Sequence, residues 1–332
     1  MMTLATKRKA QLRGYSQPPF PSGWFRVAFS DELPLGKVMP LHYFGKHLVL
    51  FRTEDGTAHV MDAYCPHMGS HLGYGGYVKG NTIYCPYHTW GFNCQGQCVE
   101  VPYSHKTPPK VKLPTWPVYE VDDVIMVYFH PKQKLPNWDF PGIQGWDAQV
   151  WSPFKRLNWK LRTHVQEFPE NIVHDAHFSC IHSFSDTKEI ALDTTGPFFK
   201  RSLSFKREIN NRLGLVANSQ LEVTEFGLGA LVAKIETHFG IGKVELMTAC
   251  FFTPIDEEYV DVTFLYCSKK ILGGLGNLVL DALVLADIKK QSKADYDVFE
   301  HKVYLKRNLL DKEDGPIAKY QHWAHQFYPE TT

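Results

Sequence analysis

The sequence predicts an α+β protein in two parts, an all-β domain followed by a larger domain of helices packed on an antiparallel sheet. Three observations predict it. Between residues 24 and 130, short apolar runs such as HLVLFRT, AHVMDAYC and VIMVYFH alternate with the turn signals EDG, GYGG, KGN and CQGQ. From Trp151 the texture changes, and NWKLRTHVQEFPENIVHDAHFSCIHSF reads as helical from Val165. LGALVAKIETHF, VELMTACFFTPI and YVDVTFLYCSKK then read as strands, and the chain returns to helix from Leu272.

In order, residues 1–22 are polar, basic and proline-containing, and read as a loose N-terminal arm without a secretory signal. Residues 23–135 form the all-β domain and 136–332 the second domain. The proline-rich strip HPKQKLPNWDFPGIQGW, His130 to Trp146, reads as a linker or a segment that wraps the first domain. The apolar run Ile271 to Ile288 holds Asp281, Asp287 and three glycines, so it reads as an amphipathic helix rather than a membrane span. No internal repeat is present.

Composition limits the function. With 332 residues, 44% hydrophobic and 14% aromatic, the chain can bury large cores. A net charge of +1 gives no footprint for nucleic acid or an anionic membrane. Seven scattered cysteines form no disulfide framework and fit a reducing cytoplasm, where Cys beside His points to metal.

CPHMGSHLGYGGYVKGNTIYCPYHTW holds two such pairs. Cys65 and His67 form C-x-H; after seventeen residues, Cys85 and His88 form C-x-x-H. A structural zinc site would offer C-x₂₋₄-C knuckles, which this stretch lacks. A 2Fe–2S cluster with two Cys on one iron and two His on the other needs one of each ligand from each loop. Gly69, Gly73, Gly75 and Gly76 would let the loop backbone approach the sulfides, and Tyr87 and Trp90 would shield the cluster's flank. Cys94 and Cys98 read as partly buried thiols on a hairpin, and His71 as a loop residue.

This stretch resembles the Rieske domain of the Rieske non-haem iron oxygenases. Ser70 and Tyr87 stand where respiratory Rieske proteins carry a disulfide, and its absence resembles the lower-potential oxygenase type. Such an oxygenase needs a second iron that meets O₂, held by two His and one carboxylate with positions left open. PENIVHDAHFSCIH supplies His177 and His182. Five residues apart, they lie about 140° from one another on a regular helix, so the helix must end or bulge between them. The family carries an H-x₄-H pair after an E-N dipeptide, here Glu170-Asn171, and Asn158-Trp159-Lys160 also looks like it.

The carboxylate comes from KADYDVFEHKVYLKRN, as Asp295 or Asp297. On a helix Asp295 shares its face with Val298 and Phe299, which should point inward, and Asp297 with Lys293, Glu300 and His301, so Asp295 is the expected ligand. The tail resembles the D-x-x-I-W segment of ketosteroid 9-alpha-hydroxylase oxygenases and cholesterol 7-desaturases, as do EDGPIAK and HQFYPE, and that register also selects Asp295. The family's aspartate three residues before the first iron histidine, which bridges to a cluster histidine across a subunit boundary, is departed from here. His174 fills that slot and Asp175 follows. His174 as bridge, Asp175 as bridge on a distorted helix, and His174 in the iron shell all stay open, with Asp175 preferred.

The resemblance implies a terminal oxygenase that uses O₂ to hydroxylate or desaturate a hydrophobic, sterol-like substrate, and a head-to-tail homotrimer. Electrons would come from a separate NAD(P)H-dependent reductase, directly or through a ferredoxin, because the chain has no glycine-rich nucleotide fingerprint. Phe198, Phe199, Phe226, Phe239, Phe251 and Phe252 are candidates for an apolar pocket, with sheet core the commoner role for such residues. Arg201, Arg207 and Arg212 read as strand or loop surface, leaving no anchor for a substrate carboxylate. The alternatives are an aromatic or arylamine oxygenase, a Rieske electron-transfer protein without oxygen chemistry, and a zinc-bearing binding module.

Overall fold

A computed structural model describes residues 19–210, 215–240, 242–271, 277–303, 305 and 308–328. Residues 1–18 of the expected arm, and Arg212, lie outside the described residues. The chain forms two units. One is Ser22–Gly142 with Thr253–Asp256, and the other takes Ile143–Phe252 and the described chain from Glu257 onward.

The first unit is all β. Its strands are β1 (Gly23–Phe29), β2 (Val38–Tyr43), β3 (Lys46–Arg52), β4 (Ala58–Asp62), β5 (Tyr77–Lys79), β6 (Thr82–Tyr84), β7 (Gly91–Asn93), β8 (Cys98–Glu100), β9 (Thr115–Trp116), β10 (Val118–Val121) and β11 (Val124–Phe129). They form three antiparallel sheets in the orders β1-β11-β10, β2-β3-β4-β9 and β5-β6-β7-β8. β1 and β11 are buried along their whole length, which explains why both read as nearly continuous apolar runs. The proline-rich strip wraps. Trp24 Nε1 donates to the Trp138 carbonyl at 2.7 Å, and Phe140 is fully buried. A separate core of Val49, Phe51, Met61, Leu72, Ile83 and Phe92 encloses Cys65 and Cys85.

The second unit is built on seven strands: β12 (Lys155–Leu161), β13 (Phe184–Thr195), β14 (Phe198–Asn210), β15 (Leu215–Phe226), β16 (Ala230–Phe239), β17 (Gly242–Pro254) and β18 (Val260–Ser268). The sheet order is β12-β18-β17-β16-β15-β14-β13, a meander closed at one edge by β12. Among the described residues, four helices join it: α1 (Glu167–Glu170), α2 (Asp175–Cys180), α3 (Asn277–His301) and α4 (Ile317–Ala324). α4 lays Ile317, Tyr320 and Trp323 on the sheet against Phe199, at the i, i+3 spacing of one helix face. No helix among the described residues is long and apolar enough to cross a membrane.

Three expectations are corrected here. The helix expected from Val165 is interrupted. α1 passes into a 3-10 turn, Asn171–Val173, and His174 is extended (φ −95°, ψ 98°) before α2 begins. Long-range contacts impose the break, because Ile172 O accepts from Arg201 Nη1 at 3.1 Å instead of continuing a helical ladder. Arg201 itself is not surface but 1% exposed, which its charge gave no reason to expect. Val298 does not share the inward face of Phe299. It is 50% exposed, whereas Phe299 is buried. Among the candidate pocket phenylalanines, Phe199, Phe226, Phe251 and Phe252 are buried while Phe239 stands exposed near the end of β16.

Candidate metal centres

The first centre stands on two loops of the same build. The β4–β5 loop carries Cys65 and His67, and the β6–β7 loop carries Cys85 and His88. In the first, Cys65 N donates to Ser70 O and Gly69 N to Cys65 O, at 2.8 and 2.9 Å. In the second, Cys85 N donates to Trp90 O and Thr89 N to Cys85 O, at 2.9 and 3.1 Å. The residue four after each cysteine has positive φ, 73° at Gly69 and 58° at Thr89. A β-branched residue rarely adopts that conformation, and such strain is held where a site requires it.

This arrangement puts thiols inside and imidazoles outside. Cys65 and Cys85 are each 2% exposed and unbridged. His67 and His88 are half-buried, with ring centroids 4.8 Å apart. Trp90 stacks on His67 at 4.5 Å and 7°, while Tyr87 lies against His88 but stays exposed. The residues fit a metal cluster. Burial pushes the Cys65 thiol up to about 11, so a bound cation is what would hold it as thiolate. His88 Nδ1 is buried without a hydrogen bond. The loop glycines have a local cause as well. A side chain at Gly73 would press on Pro40, and one at Gly76 on the Leu72 carbonyl.

The second centre lies where α2 ends. α2 stops at Cys180, and Ser183 turns with φ 58°, so His182 swings back beside His177. Their Nε2 atoms are 2.9 Å apart. Asp295 on α3 brings Oδ1 to 3.2 Å from His177 Nε2 and 3.6 Å from His182 Nε2. All three side chains are nearly buried, and their donor atoms lie within 4.8 Å of one another. Buried Oδ1 of Asp295 makes no hydrogen bond. Burial lowers the pKa of His182, favouring the neutral imidazole a metal needs. Two lone pairs and a carboxylate oxygen in one dry spot fit a cation. Asp297 is exposed.

Neighbouring side chains fix this region. Arg201 Nη2 donates to Asp175 Oδ1 at 2.6 Å and its Nε to Glu189 at 3.2 Å. His174 turns its Nε2 to Asp314, 3.1 Å away, and is not among the clustered donors. Gln291 contacts His182 Nδ1 at 2.6 Å. Sequence reasoning missed Gln291, though its place one turn before Asp295 was a usable signal. It also missed Asp314 and buried Glu225, which no motif marks.

Comparison with known proteins gives the class. A Rieske 2Fe–2S domain matches residues 23–117, and the fold matches dicamba monooxygenase bound to 3,6-dichlorosalicylic acid, with TM-score 0.73 and 15% identity over 94% of this chain and 98% of that one. The protein is a Rieske-type non-haem iron oxygenase, an oxidoreductase with a 2Fe–2S cluster and a mononuclear iron. Within that class the chain belongs to the 3-ketosteroid 9alpha-hydroxylase C-terminal domain family, which matches residues 127–328. It is 32% identical to cholesterol 7-desaturase nvd 1 of Ciona intestinalis over 98% of this chain and 72% of that protein. It is 28% identical to the oxygenase component of 3-ketosteroid-9-alpha-monooxygenase of Rhodococcus rhodochrous, over 93% and 81%.

Proposed function

We propose that the chain is the terminal oxygenase of a sterol- or steroid-oxidising system. Cys65, His67, Cys85 and His88 hold the cluster, and His177, His182 and Asp295 hold the mononuclear iron. The observation that carries this reading is the second donor set, two nearly buried imidazoles and one nearly buried carboxylate with their donor atoms clustered, in a chain that also has the twin Cys/His loops. An electron-transfer protein would need only the first. When bound, the mononuclear iron supplies a site where O₂ is reduced against a substrate C–H bond.

The chain's own residues orient and insulate. α2, the turn at Ser183 and α3 carry the three donors, and a mononuclear iron held by three protein ligands would keep further positions for O₂ and substrate. Phe184 lies beside His182, its ring centroid 5.6 Å away, and stacks on Phe205 at 4.4 Å, which dries that flank. A separate NAD(P)H-dependent reductase supplies electrons, with or without a ferredoxin, in a reducing, cytoplasmic compartment. A head-to-tail homotrimer brings one subunit's cluster to its neighbour's iron, with Asp175 as the bridge. Arg201 supports that role by fixing one carboxylate oxygen of Asp175, leaving the other to accept an imidazole N–H.

Two features support a neutral, apolar substrate. The relatives named above act on cholesterol and 3-ketosteroids, and the two described arginines of this region are already paired, Arg201 with Asp175 and Glu189, Arg207 with Asp287. The test is turnover with a compatible reductase and NADH on cholesterol, a 3-ketosteroid and a benzoate, read by mass spectrometry. Oxidised sterol or steroid is expected. Oxidation of the benzoate alone would give the aromatic reading instead.

A further inference from the structure

α3 brings more to the second centre than Asp295. Gln291 precedes Asp295 by four residues and shares its face of the helix. Its Oε1 lies 2.6 Å from His182 Nδ1. The other nitrogen of that ring, Nε2, is the one turned toward His177 and Asp295. A neutral imidazole carries one proton, and an amide oxygen can only accept. The contact therefore puts the proton on Nδ1 and leaves the Nε2 lone pair for a cation. We propose that Gln291 is a positioning residue for the mononuclear iron, fixing the tautomer and ring plane of His182.

This inference rests on the reading of His177, His182 and Asp295 as iron ligands. Burial gives it force, because His182 is 11% exposed on its side chain and Gln291 is half-buried, so bulk water is a poor substitute for the lost amide. Orienting partners of metal-bound histidines are typically worth about 10–100-fold in metal affinity. The carbonyl and the ligand carboxylate also ride on one rigid helix, so their spacing is set by the helix rather than by a loop.

The experiment removes the mononuclear metal by mild chelation, keeps the cluster, and titrates the full chain anaerobically with Fe(II). Gln291→Leu is expected to bind about 10–100-fold more weakly, with cluster absorption and circular dichroism unchanged. Gln291→Glu is expected to bind at least as tightly as the parent, because a carboxylate accepts the same N–H. Unchanged affinity in Gln291→Leu would overturn the proposal. So would a loss in Gln291→Glu as large as in Gln291→Leu, since the amide would then have been acting through its NH₂. Asp295→Ala in the same titration separates the premises. If it loses the metal while Gln291→Leu does not, only the role of Gln291 falls; if it keeps the metal, the ligand assignment falls with it.

Discussion

Arg201 Nη2 donates to Asp175 Oδ1 at 2.6 Å from a side chain with no solvent exposure. The same guanidinium holds Glu189 and the Ile172 carbonyl, so one buried cation ties β13, the 3-10 turn and the start of the helix that carries His177. A planar fork with five donors reaches these three acceptors from fixed, separated positions, whereas an ammonium offers its three donors around a single atom.

Arg201→Met is therefore expected to lower unfolding free energy by about 1–3 kcal/mol, the usual cost of losing charge-assisted hydrogen bonds. Arg201→Lys should recover only part. Denaturant unfolding monitored by tryptophan fluorescence measures both. Equal stability of all three proteins would show that the clamp is not needed.

Asp295 and Asp297 sit two residues apart on α3 and should behave oppositely. Asp295→Ala is expected to keep the cluster's absorption while losing the mononuclear iron and turnover, since two imidazoles alone bind Fe(II) poorly. Asp297 is exposed, and Asp297→Ala should change neither. Metal analysis of the two variants decides, and a reversed outcome would displace the ligand to Asp297.

The bridge is tested at Asp175. Asp175→Asn keeps the shape and removes the charge that accepts and tunes an imidazole N–H. Both metals should be retained, and oxidation of the prereduced cluster in the presence of substrate and O₂ should slow. A normal rate there, with a collapsed rate in His174→Ala, would transfer the role to His174.

Glu225 is fully buried beneath α4, and accepts a hydrogen bond from Tyr320 Oη at 2.9 Å. Burial raises its carboxyl well above the ordinary range. In the folded state it thus holds a proton that the unfolded chain has released. Its contribution to stability is present below the unfolded value and is lost as pH rises toward the folded one. Glu225→Gln should therefore gain stability relative to the parent as pH is raised from about 5 to about 8. Unfolding curves at several pH values check this, and parallel pH profiles for the two proteins would contradict it.

Much of this was legible in the sequence, for identifiable reasons. Short alternating runs and turn residues announced the first unit, and the C-x-H and C-x-x-H spacing picked out Cys65, His67, Cys85 and His88, which stand on two loops of the same build. The inward stripe of α3 was harder to read because it is polar. Asn277 donates to Ser268, Asp281 pairs with Lys155, Gln291 meets His182 and Asp295 meets His177. Hydrophobic periodicity does not register such a stripe, so Val298 was wrongly placed inward and Gln291 went unseen. The break at His174 and the burial of Arg201 depend on partners far along the chain, and local propensity carries no trace of them.

The most direct test of the account is a single turnover without reductase. The chain is chemically prereduced, freed of reductant, and mixed with O₂ and a sterol or 3-ketosteroid, while cluster absorption and product are followed in the same sample. The cluster is expected to be reoxidised with an oxidised steroid appearing alongside it, and Asp295→Ala to yield no product. Reoxidation of the cluster with the steroid recovered intact, for every steroid tried, would contradict it.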